Sequence, residues 1–467
     1  MAHRLAEGGR LIDRSRPLGF RWNGRALAGF AGDTLAAALL GAGETLVGRS
    51  FKYHRPRGVM AAGVEEPNAL VGLGSGARFE PNARATTVEL FEGLEAASQN
   101  HWPTLGFDVG AAGAALASVA PVFPAGFYYK TFMRPAGAWR RLYEPAIRAA
   151  AGLGKAPRAP DADAYEHIHA FCDVLVVGAG PAGLTAARAA GGAGARVLLV
   201  EQNAWTGGRA LVEDAGADGL SLADWATREA AALAALPNVT LRTRTTAAGL
   251  YDHGFAVLEE RLSDHDPARP GPRRRLWKVR ARRIVIAAGA FERPVCFACN
   301  DVPGVMLASA VRDYLALWGV AAGRRLALFT LCDDRYRTAL AARAAGLEVT
   351  ALDARPAGGP LAEAARTAGA EVRFGWGVTR ALGGKRLEAV EIAPLRPSGR
   401  PAPAQTLEAD ALAMAGGWSP AAHLYCHAGG GLAWDAALIG FRPDPARAPI
   451  GADGAANTRC AGAANGA

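Results

Sequence analysis

The chain has 467 residues, half of them hydrophobic and 20% charged, with a formal net charge of +9. That length exceeds one ordinary core, so two to four domains are expected, and the composition excludes a disordered chain. Six cysteines in so long a chain make no disulfide framework, which suits a reducing cytoplasm, and the first residues carry no apolar signal region. The positive excess comes mostly from scattered Arg. Its densest run, Arg273-Arg-Arg275 with Arg280, Arg282 and Arg283, flanks apolar strand residues and reads as a solvated hairpin. No nucleic acid is therefore expected, while a docking surface for an acidic partner protein accounts for the same excess.

The first hundred residues have a grammar of their own. Leu18 to Gly29 alternates around Asn23-Gly24, a hairpin signal. Asp33-Thr-Leu-Ala-Ala-Ala-Leu-Leu reads as a capped helix ending near Gly41–Gly43, and Val88-Glu-Leu-Phe as a further strand. Hairpin, helix and strands make a β-grasp pattern, as in plant-type ferredoxins. There three cysteines would follow in the loop after the helix; here that loop is Gly63-Val-Glu-Glu-Pro67-Asn68-Ala-Leu, and no cysteine precedes Cys172. The fold is expected without its cluster. In Phe51-Lys-Tyr-His-Arg-Pro-Arg57-Gly58, aromatic and cationic residues interleave. It reads equally as a phosphate, flavin or inter-subunit contact and as a basic loop packed on its own domain.

Residues 106–170 read as a connector. The longest uncharged run, Val109 to Tyr129, is broken by Pro121 and Pro124, so no membrane span is expected. The aromatic run from Phe123 to Met133 has no period and is expected to wrap a domain face or a partner.

Asp173-Val-Leu-Val-Val-Gly178-Ala-Gly180-Pro-Ala-Gly183, a small-residue helix and Arg196-Val-Leu-Leu-Val-Glu201 form a dinucleotide-binding fingerprint. Gly178 allows the tight turn, Gly180 the approach of a pyrophosphate, and Gly183 close helix–strand packing. The helix start offers free N–H groups and a positive dipole end to the phosphates. Glu201 stands where a carboxylate accepts from a ribose diol and repels a 2′-phosphate, which favours NAD or FAD over NADP.

Gly207-Gly208-Arg209 is a second glycine pair of the flavoprotein type. Val239 to Ala247 should be the third parallel strand, Leu250–Leu258 and Arg274–Arg283 a β-meander, and Ile284-Val-Ile-Ala-Ala-Gly289 a strand crossing under the nucleotide. Cys296-Phe-Ala-Cys299 is the one close cysteine pair. It reads as two small apolar residues in a loop, against a redox dithiol or a metal half-site. A nested α/β unit follows: strand Arg325–Thr330, helix Arg337–Ala345, strand Leu347–Asp353. Its loop, Thr330-Leu-Cys-Asp-Asp-Arg-Tyr336, puts bulky and acidic side chains where phosphates would sit, so no dinucleotide is expected there in the usual way. The sheet resumes at Ala411-Leu-Ala-Met-Ala-Gly416, and Arg459 to Gly466 reads as a closing strand and glycine turn, before the helix that would follow in such domains.

The expected architecture is α/β. An N-terminal, ferredoxin-like β-grasp domain without a cluster (1–105) and the connector (106–170) precede a Rossmann domain of the two-dinucleotide-binding type. Its parts are 171–299 and 406–467, around the nested unit 300–405.

Five motifs, in order, carry a resemblance over essentially the whole chain: Arg4-Leu-Ala-Glu-Gly-Gly-Arg10 with Asp13-Arg-Ser-Arg-Pro17, Arg49 to Gly58, Phe127-Tyr-Tyr-Lys-Thr-Phe-Met133, Asn300-Asp-Val-Pro-Gly-Val-Met-Leu-Ala308 and Gly416-Gly-Trp-Ser-Pro420. They resemble the alpha subunit of bacterial heterotetrameric sarcosine oxidase. That subunit is about twice as long, and its second half, a folate-binding region like the aminomethyltransferase of glycine cleavage, is absent here. The resemblance implies a cytoplasmic complex with beta, gamma and delta subunits that demethylates sarcosine to glycine, makes hydrogen peroxide and passes the one-carbon unit to tetrahydrofolate as 5,10-methylenetetrahydrofolate. It implies NAD in this chain, with FAD and covalent FMN on the beta subunit. By position, the NAD contacts fall on Pro181, Ala182, Glu201, Gln202, Asn203, Arg209, Ala247 or Ala248, and the closing segment with Ala461, Gly462, Ala463 and Gly466. No residue of this chain is implied as an amine-oxidising catalyst, and Cys296 and Cys299 depart from the family pattern. The competing readings are the alpha subunit of a related amine or opine dehydrogenase and an autonomous FAD-dependent disulfide reductase using Cys296 and Cys299.

Overall fold

The computed structural model describes residues 3–51, 53–113, 132, 134–150, 152–396 and 402–466. Chain contacts divide it into two units, one of residues 1–162 with 294–415 and one of residues 163–293 with 416–467.

The first unit begins with the expected hairpin. Asp13–Trp22 and Arg25–Ala31 pair antiparallel around Asn23 and Gly24, both at positive φ (48° and 80°), the conformation a type I′ turn needs. A five-stranded sheet follows in the order Arg25–Ala31, Asp13–Trp22, Leu94–Ser98, Leu70–Leu73, Glu80–Arg84, with the central Asp13–Trp22 and Leu94–Ser98 parallel. Helix Leu35–Ala42 is almost wholly buried against it and stops at Gly43 (φ 90°). Its cap is Thr34, whose hydroxyl accepts from the Ala37 N–H; the neighbouring Asp33 instead holds Arg4 and the Phe30 N–H. Val88–Phe91 is not the expected strand. Its backbone serves the helix start, the Leu35 N–H donating to Val88 and the Leu90 N–H to Asp33, and the sheet strand is Leu94–Ser98.

The same unit holds a parallel sheet ordered Val305–Leu307, Ala411–Ala415, Arg325–Thr330, Glu348–Asp353, Glu371–Phe374. Helices Ala308–Trp318, Tyr336–Ala344 and Pro360–Thr367 follow its strands, and an antiparallel sheet of Trp376–Gly383, Leu387–Pro394 and Gln405–Glu408 adjoins it. Ala411–Ala415, buried at every residue, thus completes the nested sheet, and the chain passes to the other unit only after it. The connector carries more regular structure than its sequence suggests, a helix at Glu144–Ala150. The aromatic run from Phe123 to Met133 lies outside the described residues apart from Phe132.

The second unit is built on a sheet ordered Val239–Arg242, Val197–Val200, Tyr165–Val177, Arg274–Ile286, Phe255–Arg261, Thr245–Tyr251, with Thr458–Cys460 beside the end of Arg274–Ile286. Side-chain alternation sorts its central residues to opposite faces. Leu175, Val177, Leu198, Val200, Ile284 and Ile286 pack toward the meander, while Val176, Leu199, Leu184, Ala187 and Leu233 form the core under helices Pro181–Gly192 and Leu222–Ala234.

Three expectations change here. The strand leading to the glycine loop begins at Tyr165, inside the expected connector, because it pairs with Arg274–Ile286 along its whole length. The expected third strand breaks at Arg244 (φ 53°): Val239–Arg242 runs parallel to Val197–Val200, and Thr245–Tyr251 turns antiparallel into the meander. The last meander strand and the strand expected at Ile284 are one continuous element, Arg274–Ile286, which exchanges Phe255–Arg261 for Thr458–Cys460 as its neighbour. The arginines along it meet carboxylates: Arg273 and Arg274 hold Asp264, and Arg275 holds Glu166 and Glu260.

Candidate dinucleotide site

Every residue of the expected cradle belongs to the second unit. The chain leaves Val177 into Gly178 at φ +99°, where a Cβ would lie 2.5 Å from the Ala287 carbonyl oxygen. Only glycine fits that turn. At Gly183 a Cβ would meet the Gly178 carbonyl oxygen at 1.8 Å, so this glycine lets the helix press against the strand–turn junction. Gly180 differs: the single atom within 4 Å of a Cβ there is the Gly208 Cα, at 3.9 Å. The space in front of it is open, as the approach of a phosphate requires.

Gly180 is the helix N-cap and Pro181 its first residue. The Leu184 N–H reaches back to the Gly180 carbonyl at 2.9 Å. The Ala182 and Gly183 N–H groups precede the first intrahelical bonds and stand at the positive end of the helix dipole. Two further turns close on this helix start. The Gly207 N–H donates to the Ala179 carbonyl at 2.8 Å, seating the second glycine pair beside the loop. Gly462, at φ +61°, brings its Cβ position within 2.8 Å of the Ala182 Cβ. Ala461 hydrogen-bonds to the Ile286 carbonyl and Ala463 is exposed. Gly466 ends the same turn, its N–H donating to the Ala463 carbonyl, and its Cβ position faces Leu438 and Arg442.

Glu201 ends strand Val197–Val200 and is 6% exposed. Its Oε2 accepts from the Ala179 N–H and its Oε1 from the Asn203 N–H, each at 2.9 Å. Burial pushes its pKa up, against the pull of those N–H donors. These donors, with the Asn203 side chain and the Gln202 N–H also bearing on it, fix the carboxylate against the glycine loop. Gln202 and Asn203 follow, their carbonyls accepting from Arg261 and from the Arg244 N–H. Arg209 pairs with Glu213 and lies 6.0 Å over the Trp418 ring. The Thr245 N–H donates to the Glu201 carbonyl, which starts the strand carrying Ala247 and the exposed Ala248 at a bulge beside the acid. Direct contacts thus join the Gly178–Gly183 loop, the Glu201 carboxylate, the Gly207–Gly208 pair and the Gly462 turn at one helix start, and Gln202, Asn203, Arg209, Ala247, Ala248, Ala461, Ala463 and Gly466 lie on the segments that adjoin them. Gly208, the Ala179 N–H and Trp418 are additions; the first was visible as a glycine pair, while the others depend on tertiary packing.

The other motifs are placed in the first unit. The Phe51–Gly58 loop spends its guanidiniums internally: Arg55 and Arg57 both bond Asp301, and Arg49 holds the Leu105 and His54 carbonyls. The nested unit's Asp333 accepts from the Gly359 and Leu361 N–H groups at 2.7 and 3.1 Å, so an acid of this chain caps the start of helix Pro360–Thr367. In the loop after helix Leu35–Ala42, four N–H groups (Met60, Ala61, Asn68 and Ala69) converge at 2.7–3.1 Å on the carboxylate of Glu66, which is 1% exposed.

With this geometry in view, two family matches are informative. Residues 15–101 match the family described as "2Fe-2S iron-sulfur cluster binding domain", and residues 173–227 the family "FAD dependent oxidoreductase". The first match has no cysteine in its range, so a cluster does not fit, and its loop is organised around Glu66 instead. The sarcosine oxidase alpha subunit of Rhizobium meliloti (strain 1021) is 50% identical over 94% of this chain and 44% of its own length. That of Corynebacterium sp. (strain P-1) is 38% identical over 93% of this chain and 41% of its own. The chain is a homologue of the sarcosine oxidase alpha subunits. It spans less than half the length of these curated relatives. A solved structure of L-proline dehydrogenase from P. horikoshii covers 99% of this chain and is itself covered to 70%, with a TM-score of 0.62 at 17% identity, a likeness of fold. Among the described residues, no helix is long and apolar enough to cross a membrane.

Proposed function

We propose that this chain is the dinucleotide-binding alpha portion of a heterotetrameric sarcosine oxidase and that its Rossmann crevice holds NAD. The observation that carries the reading is the buried Glu201 carboxylate, anchored by the Ala179 and Asn203 N–H groups beside a glycine loop open at Gly180. A ribose diol completes that arrangement, and a 2′-phosphate is repelled by it. When bound, the dinucleotide presents its pyrophosphate to the Ala182 and Gly183 N–H groups at the helix start. Gln202, Asn203 and Ala247 or Ala248 border the adenosine end, and the Ala461–Gly462 turn closes over the middle.

The site offers backbone donors and one carboxylate. The amine chemistry belongs, in this reading, to FAD on a beta subunit, with covalent FMN there as well and gamma and delta subunits completing the complex. Sarcosine is then oxidised to glycine with release of hydrogen peroxide, in the cytoplasm. The transfer of the one-carbon unit to tetrahydrofolate falls outside the residues of this chain.

Co-expression with the beta, gamma and delta subunits of a related sarcosine oxidase tests the assignment. The expected result is a co-purifying assembly with sarcosine-dependent peroxide formation that this chain alone does not give. Failure of the chain to associate with a beta subunit that folds and carries its flavins would overturn it.

A further inference from the structure

The six cysteines differ sharply in their surroundings. Cys172 and Cys460 are inert candidates, since burial pushes both thiols up to about 12. Cys296 is exposed and Cys299 half-buried, and neither is in a disulfide. Both lie in a loop, as the sequence reading has them, and Cys296 is the accessible one.

The segment that carries them is bent and pinned. The Asn300 side-chain amide donates to the Val295 carbonyl at 3.2 Å, closing a loop that contains both cysteines. Cys299 sits at φ +60°, and its carbonyl accepts from the Val302 N–H. Between the two, Ala298 is held on both sides, its N–H donating to Thr379 and its carbonyl accepting from Ala381. A fixed cation lies near the inner cysteine: Arg55, whose Nε and Nη2 grip Asp301 at 2.7 and 2.6 Å. Among the described residues, no three His, Cys, Asp or Glu side chains gather as a metal site, so the pair lacks the further ligands of a zinc centre.

We propose that Cys296 and Cys299 are a peroxide-sensitive dithiol, a reversible oxidation site at the entry to the nested α/β unit. The inner sulfur, Cys299, attacks one oxygen of hydrogen peroxide: an S–O bond forms, the O–O bond breaks, and the leaving hydroxide takes the thiol proton as water. Cys296 then attacks the Cys299 sulfur. An S–S bond forms, the S–O bond breaks, and the second hydroxide leaves with the Cys296 proton as a second water. Two thiols lose two electrons and one peroxide gains them. Arg55, fixed by Asp301 near Cys299, is a positioning residue, and Cys296 is the exposed partner.

The inference does not depend on the activity proposed above, since the oxidant is supplied as a reagent. The purified chain is titrated with hydrogen peroxide, quenched with an alkylating agent, and digested with trypsin, which leaves both cysteines in one peptide, residues 284–312. The expected result is that peptide two hydrogens lighter and unalkylated, returning to two alkylated thiols after dithiothreitol, while Cys172 and Cys460 stay reduced throughout. C296S should stop at a Cys299 sulfenic acid that dimedone traps, C299S should abolish both products, and R55M should slow the oxidation roughly ten-fold. The proposal is overturned if both thiols remain alkylatable under excess peroxide, or if they oxidise separately to sulfinic acids. Disulfides between chains in place of the internal one would overturn it equally.

Discussion

Replacing Glu201 separates the binding role of the site from its structural one. The carboxylate already accepts the Ala179 and Asn203 N–H groups at 2.9 Å, with the Asn203 side chain and the Gln202 N–H also bearing on it, and in the proposed complex the ribose hydroxyls are further donors to it. A hydrogen bond to a charged group is worth about 1.5–3 kcal/mol. Removing two of them with Glu201→Ala should cost about 3–6 kcal/mol of binding, a roughly 10²- to 10⁴-fold loss of NAD affinity at ~1.4 kcal/mol per decade. Glu201→Gln keeps one acceptor oxygen and should lose only about 10- to 100-fold. The Ala179 and Asn203 N–H groups also lose their acceptor in the alanine variant, so each variant is first shown to be folded by its circular dichroism and melting curve. Calorimetric titration with NAD then gives the affinity. The carboxylate adds a pH signature. Burial raises its pKa above the ordinary 4.5, and the ionised form is the one that accepts both hydroxyls, so NAD affinity should fall as pH drops through a midpoint above 4.5. An alanine variant that binds NAD within three-fold of the parent, or a parent whose affinity is flat down to about pH 4, would refute the placement of the ribose.

The two glycines on either side of Pro181 should behave oppositely. Gly180→Ala has room for its methyl in the free protein and should fold with near-parental stability, yet lose nucleotide. Gly183→Ala drives a Cβ to 1.8 Å from the Gly178 carbonyl and should lose both, which paired melting and binding curves would distinguish. Glu66→Gln turns an amino group toward backbone donors that now meet an oxygen, and should destabilise the first unit by about 3–5 kcal/mol; a loss under about 1 kcal/mol in urea titration would contradict that loop's dependence on the carboxylate. Acid should unfold the chain in a defined window. Burial pushes the Asp301 carboxyl up, but the Arg55 hydrogen bond and the Arg57 and Arg55 charges bring it below the ordinary 3.8. Asp173 is drawn down to about 2, chiefly by its hydrogen bond from Arg196. Carboxyls held below their unfolded values contribute stability present above about pH 4 and lost as pH falls toward 2. Asp301→Asn should flatten that slope, read as melting temperature against pH.

The elements legible in the sequence are those where local chemistry and tertiary demand coincide. Asn23-Gly24 fixes its hairpin because two consecutive positive φ angles exclude nearly every other pair. The fingerprint from Asp173 to Glu201 was legible because strand, glycine spacing, helix and acid each have a separate mechanical cause. Val88–Phe91 misled because alternation signals an extended chain but not what the backbone bonds to; here it is spent on the start of a helix. Val239–Ala247 looked like one strand because its β-branched run continues past Arg244, whose positive φ no propensity reveals. Ala411–Ala415, buried on both faces, carries no alternation that would assign it to one sheet or the other. The role of Glu66 was invisible, since a buried acid satisfied by four backbone amides spells the same as a solvated one.

The occupant of the crevice decides between the readings most directly. The purified chain, or its assembly with partner subunits, is denatured, and the released small molecules are separated and identified by mass spectrometry. Near-stoichiometric NAD from the parent chain, absent from Gly180→Ala, is the expected result. FAD in its place, NADP, or no adenine dinucleotide at all from a folded parent would contradict the account.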